Sequence, residues 1–155
     1  DISLVKNDRA FGSQFTYTMA EADLRKYFPI SSATILAFQG FAQLKTGDLP
    51  FLQLSYLGGS SMMRGLYAGR FRDNNLLAVQ VELRQRLSRQ WGVVFFAGAG
   101  EVMPSFSQYS LDDLHSSIGG GFRRRLSKTE RVNLRIDVGV ANGKPNFYVN
   151  ISEAF

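Results

Sequence analysis

The chain has 155 residues, no cysteine, one histidine and a formal net charge of +5. Those numbers fit one domain and exclude a disulfide framework, a thiolate metal site and a multi-histidine metal centre. The positive charge suits an anionic partner, whether nucleic acid, lipopolysaccharide or lipid headgroups, without choosing among them.

No stretch reaches the roughly 18 consecutive apolar residues of a transmembrane helix. A membrane barrel needs only strands of about ten residues with alternate positions apolar, so it stays open as a possibility. The chain begins "DISLVKN", with neither Met nor a signal-peptide pattern, as a mature form or an excised piece would.

In chain order, period-two alternation recurs segment after segment. A short N-terminal piece is followed by strands expected at about Phe15–Phe28, Ala33–Lys45 and Phe51–Leu57. Then comes "GGSSMMRGLYAGRFRDNN", Gly58 to Asn75. Met62, Met63, Leu66, Tyr67 and Phe71 interleave there with Arg64, Arg70 and Arg72, a composition that suits a loop packed against something. From Leu77 to Leu83 the apolar Leu77, Val79, Val81 and Leu83 oppose Ala78, Gln80 and Glu82.

Trp91–Met103 and Ser116–Leu126 read as further strands. Between Val132 and Val140, apolar Val132, Leu134, Ile136, Val138 and Val140 oppose Asn133, Arg135, Asp137 and Gly139. The last segment sets Phe147, Val149, Ile151 and Phe155 against Asn146, Tyr148, Asn150 and Ser152. Turn signals separate the segments: "YFPISS", "KTGDLP", "RLSRQW", "RLSKTE" and "ANGKPN". About eight or nine antiparallel strands result, in one domain without a linker.

Alternation alone fits a soluble sandwich or a lipocalin-like barrel as well as a membrane barrel. Three features point to the membrane form. The polar phase holds Gln80, Glu82, Arg84, Asn133, Arg135 and Asp137, which suits a hydrated lumen. Tyr27, Phe28, Trp91, Phe147 and Tyr148 cluster near strand ends, where an aromatic girdle would lie. Phe155 ends the chain in phase with the apolar residues of its last strand.

Other signals have plainer readings. His115 beside Ser116, Asp112 and Asp113 lacks the spatial arrangement a triad needs, and no catalysis is expected. Gly119–Gly121 precede no Lys-Ser/Thr and suit a small lumenal face or a bulge. "FRRRL", Phe122 to Leu126, reads as a strand end reaching water or as an anion-binding patch at the membrane rim. Nothing matches an RNA-binding motif, and the basic residues are dispersed, so no nucleic-acid partner is expected.

"LGGSSMMRGLYAGRFRDNNLLAVQVELRQRL", then "WGVVFFAGAGEV" and the terminal "FYVNISEAF", resemble the C-terminal half of the BamA/TamA-type outer-membrane assembly factors, the bacterial surface antigen family. The resemblance runs from "DLRKYFPI" to Phe155. It implies half of a sixteen-stranded barrel that inserts other barrel proteins or moves polypeptides across the outer membrane, without nucleotide or metal. It also implies a long extracellular loop, here 58–75, folded back into the barrel.

In that family the loop tip carries an Arg-Gly-aromatic motif whose arginine pairs with acidic residues on the inner wall. Arg64 and Gly65 match it, with Leu66 at the aromatic position and Tyr67 following to take the packing role. Glu82 aligns with one acidic partner. The second belongs to a Phe-x-Asp-x-Gly motif, which the resemblance places at Phe96–Gly100, leaving Gly98 in place of the acid. Asp137 is expected to substitute, because a buried guanidinium needs an acceptor. Phe147, Val149, Ile151 and Phe155 look like the carboxy-terminal sorting signal of outer-membrane barrels, with Glu153 interrupting the apolar series.

The expected fold is thus an all-β, antiparallel transmembrane β-barrel over residues 1–155, in the bacterial outer membrane. The implied partners are outer-membrane lipid, nascent outer-membrane proteins or translocated polypeptides, and a second copy through open strand edges. No cofactor or enzyme activity is implied. Two other readings stand beside this one: a small closed eight-stranded barrel serving as anchor or adhesion module, and the barrel of a longer patatin-like lipase.

Overall fold

The computed structural model describes residues 1–126, 133–152 and 154–155. Val132 and Glu153, both used in the expectations above, lie outside the described residues. The chain forms β1 (Ile2–Asn7), β2 (Tyr17–Pro29), β3 (Thr34–Gly47), β4 (Ser55–Leu57), β5 (Phe71–Asp73), β6 (Asn75–Arg86), β7 (Trp91–Met103), β8 (His115–Arg125), β9 (Asn133–Ala141) and β10 (Lys144–Ile151). Eight of these make one antiparallel sheet in the order β1-β2-β3-β6-β7-β8-β9-β10, and β4 pairs with β5 apart from it. The large sheet does not close: among the described residues β1 and β10 are its two edges. That removes the small closed eight-stranded barrel.

The strands sort their side chains inversely to a soluble sheet. Glu82 and Asp137 are 0% exposed, whereas Phe95 is 61% and Phe147 73% exposed. Gln39, Gln80, Ser117, Arg123 and Arg135 share the covered face, while Phe38, Val79, Ile118, Phe122 and Ile136 stand on the open one. In water, apolar area on that scale would oppose folding, since each square ångström left exposed forfeits roughly 25 cal/mol. Against lipid it is the required surface, and antiparallel pairing satisfies the backbone.

Connections are unequal at the two ends. Segments 48–74 and 104–114 join strands at one end, and the short turns 30–33 and 87–90 at the other. Long loops outside and short turns on the periplasmic side are the usual disposition of such barrels. The Asn142-Gly143 hairpin has positive φ at both residues, 51° and 70°, as a two-residue turn between twisted strands requires.

The expected strand Phe51–Leu57 is corrected. Phe51–Gln53 is a 3-10 turn behind Pro50, closed by the Gln53 amide donating to the Pro50 carbonyl at 2.8 Å. Only Ser55–Leu57 is extended, and it pairs with Phe71–Asp73 within the long loop instead of joining the wall. Gly58, at φ 100°, ends it.

The aromatic girdle is corrected at two positions. Phe28, Trp91 and Phe147 are exposed on the open face, whereas Tyr27 shares the inner-face register of Ala37 and Glu82 with Arg84 over its ring, and Tyr148 faces the covered side and bonds the loop. Phe155 also departs from its expected phase. It is 7% exposed, and Arg84 donates to its backbone oxygen at 2.7 Å while lying over its ring. The chain leaves the strand at Ile151, and Ser152, at φ 114°, turns it toward the inner face.

Candidate functional site: the loop seat on the inner wall

The apolar cluster of this sheet lies between loop and wall. Leu57, Met63 and Leu66 from the loop pack with Leu76, Ala78 and Ala141 from the strands, flanked by Phe41, Met62, Phe71 and Val102. This accounts for the apolar residues interleaved with arginines in 58–75. Leu66, not Tyr67, takes the packing role: Leu66 is 1% exposed and Tyr67 73%. Gly65, at φ 116°, turns the backbone so that the residue after it points at the wall and the next one away.

Small residues on the inner face carve the seat. Register sets Glu82 beside Phe96, Phe96 beside Gly119, and Gly119 beside Gly139. A Cβ at Gly139 would run into the Arg64 carbonyl and the Gly65 amide, and one at Gly65 would stand 2.9 Å from the Val140 backbone. Loop and wall therefore touch backbone to backbone. At Gly98, where the family's pattern has an acid, a Cβ would meet the Met63 sulfur at 2.9 Å. Methionine fills the space a carboxylate would need.

Arg64 enters this seat fully buried. Its Nη2 donates to Glu82 Oε2, and its Nη1 donates to Asp137 Oδ2 at 2.8 Å. The flat face of the guanidinium lies 3.6 Å from the centre of the Phe96 ring. Fork donors matched to two carboxylates, with a ring beneath, are the contacts that favour arginine over lysine. The carboxylates are themselves held: Arg84 Nε donates to Glu82 Oε1 at 2.7 Å, Arg123 Nη1 to Asp137 Oδ1 at 2.5 Å, and Arg135 Nε lies 3.4 Å from Asp137 Oδ2.

Wall side chains also collect the loop's backbone. Arg135 Nη2 donates to the Ser60 carbonyl at 2.6 Å and Gln80 Nε2 to the Ser61 carbonyl at 3.0 Å. Asn146 Nδ2 donates to the Gly65 carbonyl at 2.5 Å. Tyr148 accepts from the Gly65 amide at 3.0 Å and donates to the Leu66 carbonyl at 3.2 Å. A loop buried in a lumen has to place its backbone groups somewhere, and these four side chains receive them.

Of the residues singled out beforehand, Arg64, Gly65, Leu66, Glu82 and Asp137 come together, and Tyr67 stands outside the seat. Phe147, Val149 and Ile151 line up on the open face of β10, with Phe155 turned inward. Phe96, Arg123, Arg135, Asn146 and Tyr148 were not anticipated, although their signal was present. Phe96, Arg123 and Arg135 share the strand parity of buried neighbours, and Asn146 and Tyr148 stand in the polar phase of the last strand. Arg70 and Arg72 do not reach the wall's acids: Arg70 lies over the Phe71 ring, and Arg72 over Phe51 and Tyr56. His115 stacks on Phe71 at 3.7 Å.

An antiparallel sheet with apolar residues outside, and a charged inner wall holding a returned loop, defines the wall of a transmembrane β-barrel. The chain belongs to the Omp85 superfamily, whose domain model matches residues 3–155. That superfamily is characteristic of bacterial outer membranes and of the assembly or translocation of outer-membrane proteins. No curated protein matches the chain.

Proposed function

We propose that this chain is the C-terminal barrel portion of an outer-membrane assembly or polypeptide-translocation factor, in which the extracellular loop 58–75 is folded into the lumen and locked there by Arg64. The observation that carries the reading is the attachment of Arg64 to both Glu82 and Asp137, which lie on strands three apart in the sheet. A strut of this kind holds the curvature of β6–β9 fixed while strands farther along the sheet stay free to move.

The chemistry of such a factor is backbone pairing. An incoming strand with alternate apolar residues adds to an open edge through main-chain hydrogen bonds, and no nucleotide, metal or covalent step is required. In the same reading Phe147, Val149 and Ile151 present the membrane-facing sorting pattern of the chain itself, outer-membrane lipid is its surroundings, and nascent barrel proteins or translocated polypeptides are its clients.

The test is site-specific photocrosslinking in cells, with a photoreactive residue at Val149 on β10 and a control at Val79 in mid-sheet. Adducts with newly made outer-membrane proteins at Val149 and none at Val79 are expected. An absence of such adducts at both positions, with the protein present in the outer membrane, would remove the assembly reading.

A further inference from the structure

The outward phase of the wall strands is mostly apolar, and its charged exceptions divide by end. Among the described residues they are Lys6, Lys26, Glu101 and Arg124. Lys6 and Glu101 lie toward the long-loop end and are answered there: Lys6 pairs with Asp8 at 3.7 Å, and Glu101 is buried and accepts from the Ser110 amide at 3.4 Å. Lys26 and Arg124 lie toward the short-turn end, and both are exposed.

Each of these two cations sits on an aromatic ring of the same outward phase. Lys26 Nζ stands 5.9 Å from the centre of the Phe28 ring, and the Arg124 guanidinium 5.4 Å from that of Trp91. Neither forms an ion pair among the described residues. The chain around them offers little acid. Residues 24–36, 83–95 and 120–126 contain no Asp or Glu, while Lys26, Arg86, Arg89, Arg124 and Arg125 are among their bases. By sequence, 127–132 adds Lys128, Glu130 and Arg131, which leaves the excess basic.

A cation on a lipid-facing surface has to reach water or an anion, and a long aliphatic stem lets the charge rise to the headgroup level while the stem stays in apolar surroundings. Aromatic rings settle at that same level. The ring holds the cation by its quadrupole and leaves the N–H donors on the far side free for a phosphate oxygen. We infer that the lipid-facing rim at the turn end binds the phosphate headgroups of anionic phospholipid, through Lys26 on Phe28 and Arg124 on Trp91, in the leaflet on that side. Charge makes the choice of lipid: a rim this poor in acid attracts a headgroup of net negative charge more strongly than a zwitterionic one. A water-borne acidic protein is the poorer occupant. The strands between the two cations carry Phe38, Val79 and Phe95 on the same open face, and such a partner would have to displace the acyl chains that cover them. The inference goes beyond the proposed function, because it concerns the lipid and holds whether or not the edges template other barrels.

Trp91 is the only tryptophan of the chain, so its fluorescence reports the Arg124 position alone. The test is quenching of Trp91 in the whole chain reconstituted in phosphatidylcholine vesicles at low salt. A minor fraction of the lipid is either phosphatidylglycerol or phosphatidylcholine, brominated on the acyl chain near the headgroup. Brominated phosphatidylglycerol should quench as though enriched about threefold or more beside Trp91. Arg124→Gln should remove that preference and Lys26→Gln should leave it. With the reporter moved by Trp91→Phe and Phe28→Trp, the two variants should exchange roles. Both cations are exposed, and circular dichroism of each variant verifies that the strands persist. Equal quenching by the two lipids in the parent would overturn the proposal. So would an undiminished preference in Arg124→Gln, which would assign the attraction to the charge of the whole rim. Loss of the preference on adding inorganic phosphate at the concentration of the anionic lipid would define a small-anion site and overturn it as well.

Discussion

Arg64 donates to Asp137 at 2.8 Å although 73 positions separate the two in the chain. No local preference brings them together: the contact exists only if β9 is in register with β8 and the long loop has returned. Removing Arg64 breaks its buried ion pairs to both carboxylates, and breaking a buried pair costs about 3 to 5 kcal/mol in proteins generally. Arg64→Ala should therefore release the loop and leave the wall formed. Limited proteolysis should show new cleavage between Ser60 and Asn75 with unchanged strand content, and unaltered protection would refute the anchoring role.

Glu82 and Asp137 share one guanidinium, so their removal should not be additive with that of Arg64. In a double-mutant cycle, Arg64→Ala combined with Asp137→Asn should destabilise the loop less than the sum of the single variants, by about 0.5 to 3 kcal/mol. Amide exchange of residues 60–66 reads the effect. Additive behaviour would mean that the two residues stabilise the loop independently.

Tyr148 and Tyr67 provide a contrast between two tyrosines. Tyr148→Phe removes one hydroxyl that both accepts from Gly65 and donates to Leu66, and should weaken loop protection by about 1 to 3 kcal/mol. Tyr67→Ala, at an exposed position, should change loop protection by less than about 0.5 kcal/mol. The reverse order, measured by the same amide exchange, would place the aromatic anchor of the loop at Tyr67.

Two glycines of the seat should differ in tolerance. Gly98→Ala pushes on the sulfur of the buried Met63 side chain, an unbranched thioether that can answer by changing rotamer, whereas Gly139→Ala pushes on the loop backbone at Arg64 and Gly65. Loop protection should survive the first change and be lost in the second. Equal tolerance would show that the loop does not rest on the β9 backbone.

The period-two alternation of Leu77–Leu83 and of the last segment carried most of the wall, because a strand has only two faces and parity assigns each side chain to one of them. It did not say which face meets lipid. The buried Glu82 and the exposed Phe147 decide that, and only long-range packing produces them. Phe51–Leu57 read as one strand because apolar spacing says nothing about a backbone turning behind Pro50. Tyr67 was assigned to packing because sequence order cannot show that the positive φ of Gly65 aims Leu66 at the wall. Phe155 kept the parity of Phe147 on paper, but parity holds only while the chain stays extended, and Ser152 ends that.

The seat is not centred on the sheet. The bonds of residues 58–75 to the wall gather on β6, β8, β9 and β10, and β3 reaches the long loop through Lys45, which donates to the Gln53 carbonyl at 2.6 Å, whereas across strands the polar side chains of β2 meet those of β3, Asp23 with Gln39 and Glu21 with Gln43. A cavity of about 530 Å³ separates that side from Gly59 and Ser60 of the loop. The molecule is thus divided mechanically into a braced flank and a slack one. A load applied at the edge of β1 meets β2, which shares no hydrogen bond with the loop among the described residues, and a load at β10 meets Asn146 and Tyr148, already tied to the loop tip. Deformation of this wall under lateral tension in the bilayer is expected to begin on the β1–β2 side.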